Sequence, residues 1–148
     1  MTTCRAALAI VVLALLAAPA LADTTVIDGD TLRHDGVMYR LHGIDAPERR
    51  QSCADGWPAG LAATAYMRAL VVGRDVTCEG RSTDRYGRTV GVCRAGGADV
   101  GAAMVRSGMA WAYRQYSQDY AGAEQQAIAA RAGVHGHSCQ PAWEWRKR

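Results

Sequence analysis

The chain of 148 residues has no Phe, a single Lys at position 147 and no Cys-x-x-Cys pair. The formal net charge is only +3, which is not the strongly basic balance of a protein held to nucleic acid by charge alone, so any phosphate site must be local. The missing Cys-x-x-Cys removes the common zinc frameworks. Hydrophobic residues make up 49% and charged residues 21%, which fits a globular protein and excludes collagen-like, coiled-coil and wholly disordered chains. There is one long apolar run. Residues 6–22, AALAIVVLALLAAPALA, follow the basic Arg5 and close on Ala20-Leu21-Ala22, the small-x-small pattern cut by signal peptidase. The run is interrupted by Pro19 and falls short of the roughly 20 apolar residues of a membrane span. Residues 1–22 therefore read as a signal peptide and 23–148 as the mature domain. That length suffices for one compact domain and not for two.

Cys4 leaves with the leader, and Cys53, Cys78, Cys93 and Cys139 remain. An even number of cysteines exported to an oxidising compartment predicts two disulfides, for which three connectivities exist. Cys78 and Cys93 lie in apolar runs, VTC and TVGVC, on either side of a polar turn, so they could face each other across a hairpin. Cys53 would then pair with Cys139, tying the first half of the domain to its C-terminal tail. The competing use of His135, His137 and Cys139 as zinc ligands is disfavoured by their Gly-flanked setting.

Residues 24–34 are rich in β-branched side chains and are followed by Asp35-Gly36, a favoured hairpin turn. The returning run, 37–44, alternates so that Val37, Tyr39 and Leu41 share one face and Met38, Arg40, His42 and Ile44 the other. Pro47, Gly56, Pro58 and Gly60 mark 45–60 as a loop. Over 58–72 a helix is expected, with Leu61, Ala65, Ala69 and Val72 as its apolar stripe and Gly73 as its stop. RDVTCEG and RTVGVCRAG read as a hairpin around 82–87, and ADVGAAMVRSG as a short helix stopped by Gly108. Ser117 could cap a last helix running to Arg131. Hairpins interrupted by one helix and followed by others imply a small α+β domain around an antiparallel sheet or barrel. No internal repeat or second-domain linker is present.

The chemistry concentrates in Asp28-Gly29-Asp30-Thr31, Arg40, Asp45-Ala46-Pro47-Glu48 and Asp84-Arg85-Tyr86-Gly87-Arg88. Carboxylates at turns and strand ends suit a hard cation that keeps sites open for water and substrate, and arginines nearby suit phosphate. In order and spacing these segments resemble the staphylococcal nuclease family over nearly the whole mature chain, from about Val26 to the tail: IDGDT, an Arg five residues before D-x-P-E, and D-[KR]-Y-G-R. The resemblance implies a five-stranded OB-type β-barrel with about three helices. It also implies Ca²⁺-dependent hydrolysis of DNA and RNA to 3′-phosphate and 5′-hydroxyl ends. By position, Asp30, Asp45 and the Ala46 carbonyl match the Ca²⁺ ligands. Glu48 matches the general base or water-orienting carboxylate, and Arg40 and Arg88 the guanidinium groups on the scissile phosphate. Asp28 reads as a support for the loop or for a water. Tyr113 and Tyr116 stand where the family has two tyrosines flanking bound nucleotide, with slightly different spacing. The loop after D-x-P-E carries Arg49, Arg50 and Cys53 where the best-known member is Lys-rich.

Taken singly, each segment has an ordinary alternative: Asp pairs cap turns, arginines form surface ion pairs, and Glu48 could cap a helix. Together they favour catalysis. His34, His42, His135 and His137 are assigned no role. The tail tryptophans, Trp143 and Trp145, are expected to pack on the barrel while the charges of Arg146, Lys147 and Arg148 stay in solvent. A haloacid-dehalogenase-type phosphatase is defeated by Leu32 in the motif's last position, and an EF-hand by its missing ligands. The remaining rival is a catalytically silent OB-type module that binds single-stranded nucleic acid or a protein partner. The expected protein is an exported monomer, periplasmic or secreted, with no stable membrane association after cleavage. It would act on DNA and RNA, preferentially where single-stranded or locally unpaired.

Overall fold

A computed structural model describes residues 23–148, and the leader expected at 1–22 lies outside the described residues. Among the described residues eight strands and four α-helices follow one another. β1 (Thr24–Val26) and β2 (Thr31–His34) are antiparallel, with Val26 opposite Leu32. The expected first strand thus folds back on itself, because the amides of Ile27 and Asp28 both donate to the Thr31 carbonyl (3.0 and 3.2 Å). Asp28, Gly29 and Asp30 form the resulting turn. At Asp35-Gly36 the chain reverses as expected, both residues having positive φ (48° and 79°), the geometry that twisted hairpins prefer. β3 (Val37–Leu41) returns beside β2, pairing Thr31 with Arg40.

The expected strand to Ile44 is broken by a turn at His42-Gly43, where Gly43 has φ 69°. β4 (Ile44–Asp45) consequently leaves the main sheet and pairs with β8 (Trp111–Ala112), placing Asp45 opposite Trp111. β3 runs parallel to β6 (Thr89–Ala95), and β6 runs antiparallel to β5 (Val76–Thr83) and to the short β7 (Ala98–Asp99). The main order is β1-β2-β3-β6-β5, and β1 and β5 do not pair with each other. The expected barrel is therefore an open, OB-like sheet in an α+β fold.

α1 (Ala59–Val71) buries Ala59, Gly60, Ala63, Thr64, Met67 and Val71. The expected stripe of Leu61, Ala65, Ala69 and Val72 faces solvent, with Leu61 61% and Val72 62% exposed. The face is set by close approach rather than by bulk. A Cβ on Gly29 would sit 2.8 Å from the Cβ atoms of Ala63 and Ala46, and one on Gly60 would collide with the Glu48 carbonyl. Small residues thus seat α1 directly on both carboxylate-bearing loops, and Met67 and Val71 fill the core behind them with Leu32, Leu41 and Ile44.

α2 (Val100–Arg106) is capped by Asp99, which accepts from the Ala102 amide (3.0 Å), and gives way to Gly108 with φ 68°. α3 (Ala121–Ala129) starts four residues beyond the expected Ser117 cap and ends before Arg131. The Ser117 hydroxyl instead accepts from the Asp119 amide (3.0 Å). The Tyr120 ring is buried and its hydroxyl donates to Asp99 (3.1 Å), which pins the residue just before the helix. A 3₁₀ turn at Gly133–His135 leads to the tail and the single-turn α4 (Ala142–Trp145). Both expected disulfides are present, Cys78–Cys93 between directly paired strand residues and Cys53–Cys139 across 86 residues. Cys139 is therefore committed to a disulfide, and His137 stacks on Trp57 (4.3 Å, 5°). Trp111, Val134 and Ala142 form a second small core beneath the tail, with Trp57 and Trp143 packed on it. Among the described residues no helix is long and apolar enough to cross a membrane.

Candidate active site

Asp30 comes from the β1–β2 turn, Arg40 from β3, Asp45 from β4 and Glu48 from the loop leading to α1. Arg40 is the hub. Its Nη2 lies 3.2 Å from Asp30 Oδ2 and 3.0 Å from Asp45 Oδ1, and its Nη1 donates to the carbonyls of Leu41 (3.1 Å) and Ile44 (3.0 Å). One guanidinium therefore brings two loops to a common point, with its own side chain only 16% exposed. Asp30 Oδ2 also accepts from the Ala46 amide (3.0 Å), and Asp30 Oδ1 from the Thr31 hydroxyl (3.0 Å). Asp28 stays outside this junction and accepts from the Asp30 amide (3.1 Å).

Arg88 enters from the start of the β6 arm. Its Nε donates to Asp84 Oδ2 (2.7 Å), its Nη1 reaches the Thr31 hydroxyl at 3.4 Å, and its guanidinium lies over the Tyr86 ring at 5.5 Å. Asp84 also accepts from the amides of Tyr86 (2.9 Å) and Arg88 (3.0 Å). Burial acts to raise the Asp84 carboxyl, and these bonds outweigh it and hold the group below the usual range. The Asp-Arg-Tyr-Gly-Arg segment is thus a self-braced turn that aims Arg88 at the Asp30 end of the cluster.

Glu48 is 42% exposed and is joined to Asp45 by a residue that the sequence reasoning assigned to solvent. Arg146 Nη1 donates to Glu48 Oε1 (2.7 Å) and Asp45 Oδ1 (3.2 Å), and its Nη2 to Asp45 Oδ2 (2.7 Å). Lys147 and Arg148 remain at the surface, Lys147 on Glu144 (3.1 Å) and Arg148 over Trp145. A signal for Arg146 existed in the cysteine spacing. Cys53 follows Glu48 by five residues and Cys139 precedes Arg146 by seven, so the Cys53–Cys139 bond already carries the tail to Glu48.

Burial, reinforced by the Asp30 charge, pushes the Asp28 carboxyl up to about 6. Burial also raises the Asp45 carboxyl, against the opposing pull of Arg146 and Arg40. For Arg146 burial works against the charge, and the bonds to Asp45 and Glu48 outweigh it, so its proton is held more tightly than usual. Burial first, and the Asp30 charge second, thus disfavour the ionised carboxylates here, which a bound cation would offset. The donors at the junction are all oxygens, suited to a hard cation. Among the described residues no three His, Cys, Asp or Glu side chains form a metal-binding group, and the carboxylates at the junction are those of Asp30 and Asp45.

Tyr113 and Tyr116 pack on each other at 4.9 Å, and Tyr113 stacks on Trp143 (5.4 Å, 19°). Tyr116 is 72% exposed. Tyr113, but not Tyr116, lines a cleft of about 490 Å³ together with Trp111, Arg114, Glu124, His135 and Trp143, and the cleft contains none of the charged cluster. Carboxylates converging on guanidinium groups, buried at Asp45 and half-exposed at Glu48, define a site for anionic oxygen chemistry.

A family model described as "Staphylococcal nuclease homologue" matches residues 38–135. Protein ParB of Escherichia coli is 35% identical over 97% of this chain and 90% of its own length. An uncharacterized endonuclease of Escherichia coli O157:H7 is 37% identical over 83% of this chain and 82% of its own. Micrococcal nuclease of Shigella flexneri is 34% identical over 97% of this chain and 91% of its own. The chain belongs to the staphylococcal nuclease family, and is a nuclease-type hydrolase of it.

Proposed function

We propose that the protein is an exported endonuclease that hydrolyses DNA and RNA with little sequence preference, using Ca²⁺ and leaving 3′-phosphate and 5′-hydroxyl ends. The observation that carries this reading is the convergence of Asp30 and Asp45 on a single nitrogen of Arg40 (3.2 and 3.0 Å), with Glu48 beside them. Asp30, Asp45 and the Ala46 carbonyl would hold the cation. When bound, it supplies charge stabilisation for the phosphoryl oxygens and favours deprotonation of water.

The chain's own groups do the rest. Glu48, half-exposed at the edge of the cluster, orients the attacking water and takes its proton. Water attacks phosphorus, the P–O5′ bond breaks, and the leaving oxygen takes a proton from solvent water to end as a hydroxyl, while Glu48 returns its proton to solvent. Arg88 and Arg40 address the phosphoryl oxygens, whose negative charge grows in the transition state. Arg88 keeps its Nη2 free for this role, because its described hydrogen bonds use Nε and Nη1. With Asp30 and Asp45 holding a cation, the Arg40 Nη2 that otherwise bonds both would be available to the phosphate. Tyr116, exposed and backed by Tyr113, offers a ring face to an unpaired base, which favours single-stranded or locally open substrate. Two disulfides support an oxidising location, periplasmic or secreted, and the protein is expected to act as a monomer.

The test uses oxidised mature protein with single-stranded and duplex DNA, in Ca²⁺ or in chelator. Cleavage requires Ca²⁺, leaves 3′-phosphate ends, and drops by about 10²- to 10³-fold in Glu48→Gln and in Arg88→Ala. A wild type that binds DNA and leaves it intact in Ca²⁺, Mg²⁺ and Mn²⁺ would make the protein a binding module instead.

A further inference from the structure

We propose that Arg146 is a positioning residue of the active site and that the C-terminal arm, residues 139–146, exists to place it. The proposal rests on the reading of Glu48 as the group that orients water. The half-exposed Glu48 side chain would otherwise sample several rotamers, and among the described residues its carboxylate has one hydrogen-bond partner, Arg146 at 2.7 Å. The same guanidinium grips both oxygens of Asp45 (3.2 and 2.7 Å), a side chain with no exposed surface. Arg146 therefore spans from a buried carboxylate to a half-exposed one and ties the second to the first. Exposed ion pairs contribute little. This one is anchored at its buried end and built from charge-assisted bonds, which are about twice as strong as neutral ones.

The arm is anchored without Arg146. Cys139 is bonded to Cys53, the Gln140 carbonyl accepts from Gln51 Nε2 (2.6 Å), and the Ser138 carbonyl accepts from the Ala54 amide (2.9 Å). Ala142 is fully buried, and Trp143 packs edge-on against Trp111 (6.0 Å) and face-on against Tyr113. Gln51 serves both partners, since its Oε1 accepts from the Glu48 amide (3.0 Å) while its Nε2 holds the arm. The loop that carries Glu48 and the arm that carries Arg146 are thus one locked unit. Removing the Arg146 side chain frees the Glu48 carboxylate and leaves that unit in place.

The experiment compares Arg146→Ala, Arg146→Lys and the surface control Lys147→Ala in wild-type and Glu48→Gln backgrounds, on single-stranded DNA at saturating Ca²⁺. A misplacement of about 1 Å costs on the order of 10²-fold in rate. Arg146→Ala is therefore expected to lower kcat by roughly 10- to 100-fold with KM within about threefold, and Arg146→Lys to restore part of the loss. In the Glu48→Gln background the same change lowers kcat by less than about threefold, because the two residues act as one unit. Ca²⁺ affinity by calorimetry is expected to be unchanged or tighter in Arg146→Ala, since Asp45 no longer shares its oxygens, and Lys147→Ala matches wild type throughout. Four results would overturn the proposal: an Arg146→Ala variant as fast as or faster than wild type, an equal loss in the Glu48→Gln background, a rise in KM at unchanged kcat, or Ca²⁺ affinity that weakens in step with kcat. A wild type that cleaves beside an unaffected Arg146→Ala overturns this proposal alone. A wild type that cuts nothing in Ca²⁺ overturns the nuclease reading with it.

Discussion

Gly60 and Gly122 are each the second residue of a helix, α1 and α3, and replacing each by alanine changes stability in opposite directions. Alanine in a helix is favoured over glycine by about 1 kcal/mol. At Gly122 an added Cβ meets no atom within 4 Å, so Gly122→Ala is expected to gain about 0.5–1 kcal/mol. At Gly60 the same Cβ would overlap the Glu48 carbonyl and lie 2.7 Å from the Arg49 carbonyl carbon and oxygen. These are backbone atoms that cannot rotate away. The Gly60 amide also donates to the Gln51 carbonyl (2.9 Å), so the start of α1 must shift against a loop to which it is bonded. Overpacking of this kind costs about 1–3 kcal/mol, with the upper part expected for backbone. After the helix gain, Gly60→Ala should lose about 1–2 kcal/mol. For a domain of this size that is roughly 3–8 °C in Tm. Urea and thermal unfolding of the two variants, read beside cleavage rates, provide the assay: Gly60→Ala is also expected to cleave more slowly because the Glu48 backbone moves, and Gly122→Ala is not. Equal stabilisation by both substitutions would refute the argument that α1 is seated by backbone contact.

Met67 has no exposed surface and Leu61 is 61% exposed, so Met67→Ala is expected to cost about 2–5 kcal/mol, against within about 0.5 kcal/mol for Leu61→Ala, both read by urea unfolding. Replacing both members of a disulfide by serine opens loops of 86 residues at Cys53–Cys139 and 15 at Cys78–Cys93. The chain-entropy model predicts that the first pair costs about 1.5 kcal/mol more than the second, and cleavage should fall more for the first because the arm is released. Asp84 has a folded pKa depressed below its ordinary 3.8, so its contribution to stability is present above that value and is lost as pH falls through the folded pKa. Asp84→Asn is therefore expected to lose less stability than wild type between about pH 5 and about pH 3 in urea titrations of the cation-free protein.

The parts of the molecule that the sequence made legible are those set by local chemistry. Asp35-Gly36 permits the two positive φ values of its turn, and Cys78 and Cys93 flank a polar turn that returns the second strand beside the first, a bulge between Gly80 and Ser82 setting the two directly opposite. The carboxylates and arginines of the cluster were marked by their types and spacing, because three short segments carry almost all of it. What stayed hidden depends on long-range packing. An Ala-rich helix presents two plausible stripes, and only contacts with Gly29 and the Glu48 backbone select the one through Ala59, Ala63 and Met67. The run ending at Ile44 alternates well enough for one strand, yet Gly43 packs on the Tyr120 ring and turns the chain into a separate pairing with β8. Arg146 was invisible to local pattern because its partners lie about 100 residues away, at separations of 101 and 98.

The most direct test of the central claim couples cation binding to cleavage in one titration, following both calorimetric Ca²⁺ binding and the rate on a labelled single-stranded oligonucleotide, with wild type and Asp30→Asn. The account predicts one Ca²⁺ per wild-type chain, a rate that rises in proportion to its occupancy, and weakened binding with a matching loss of rate at equal Ca²⁺ in the variant. Full wild-type cleavage in excess chelator, or a variant that binds and cleaves as wild type does, would contradict it.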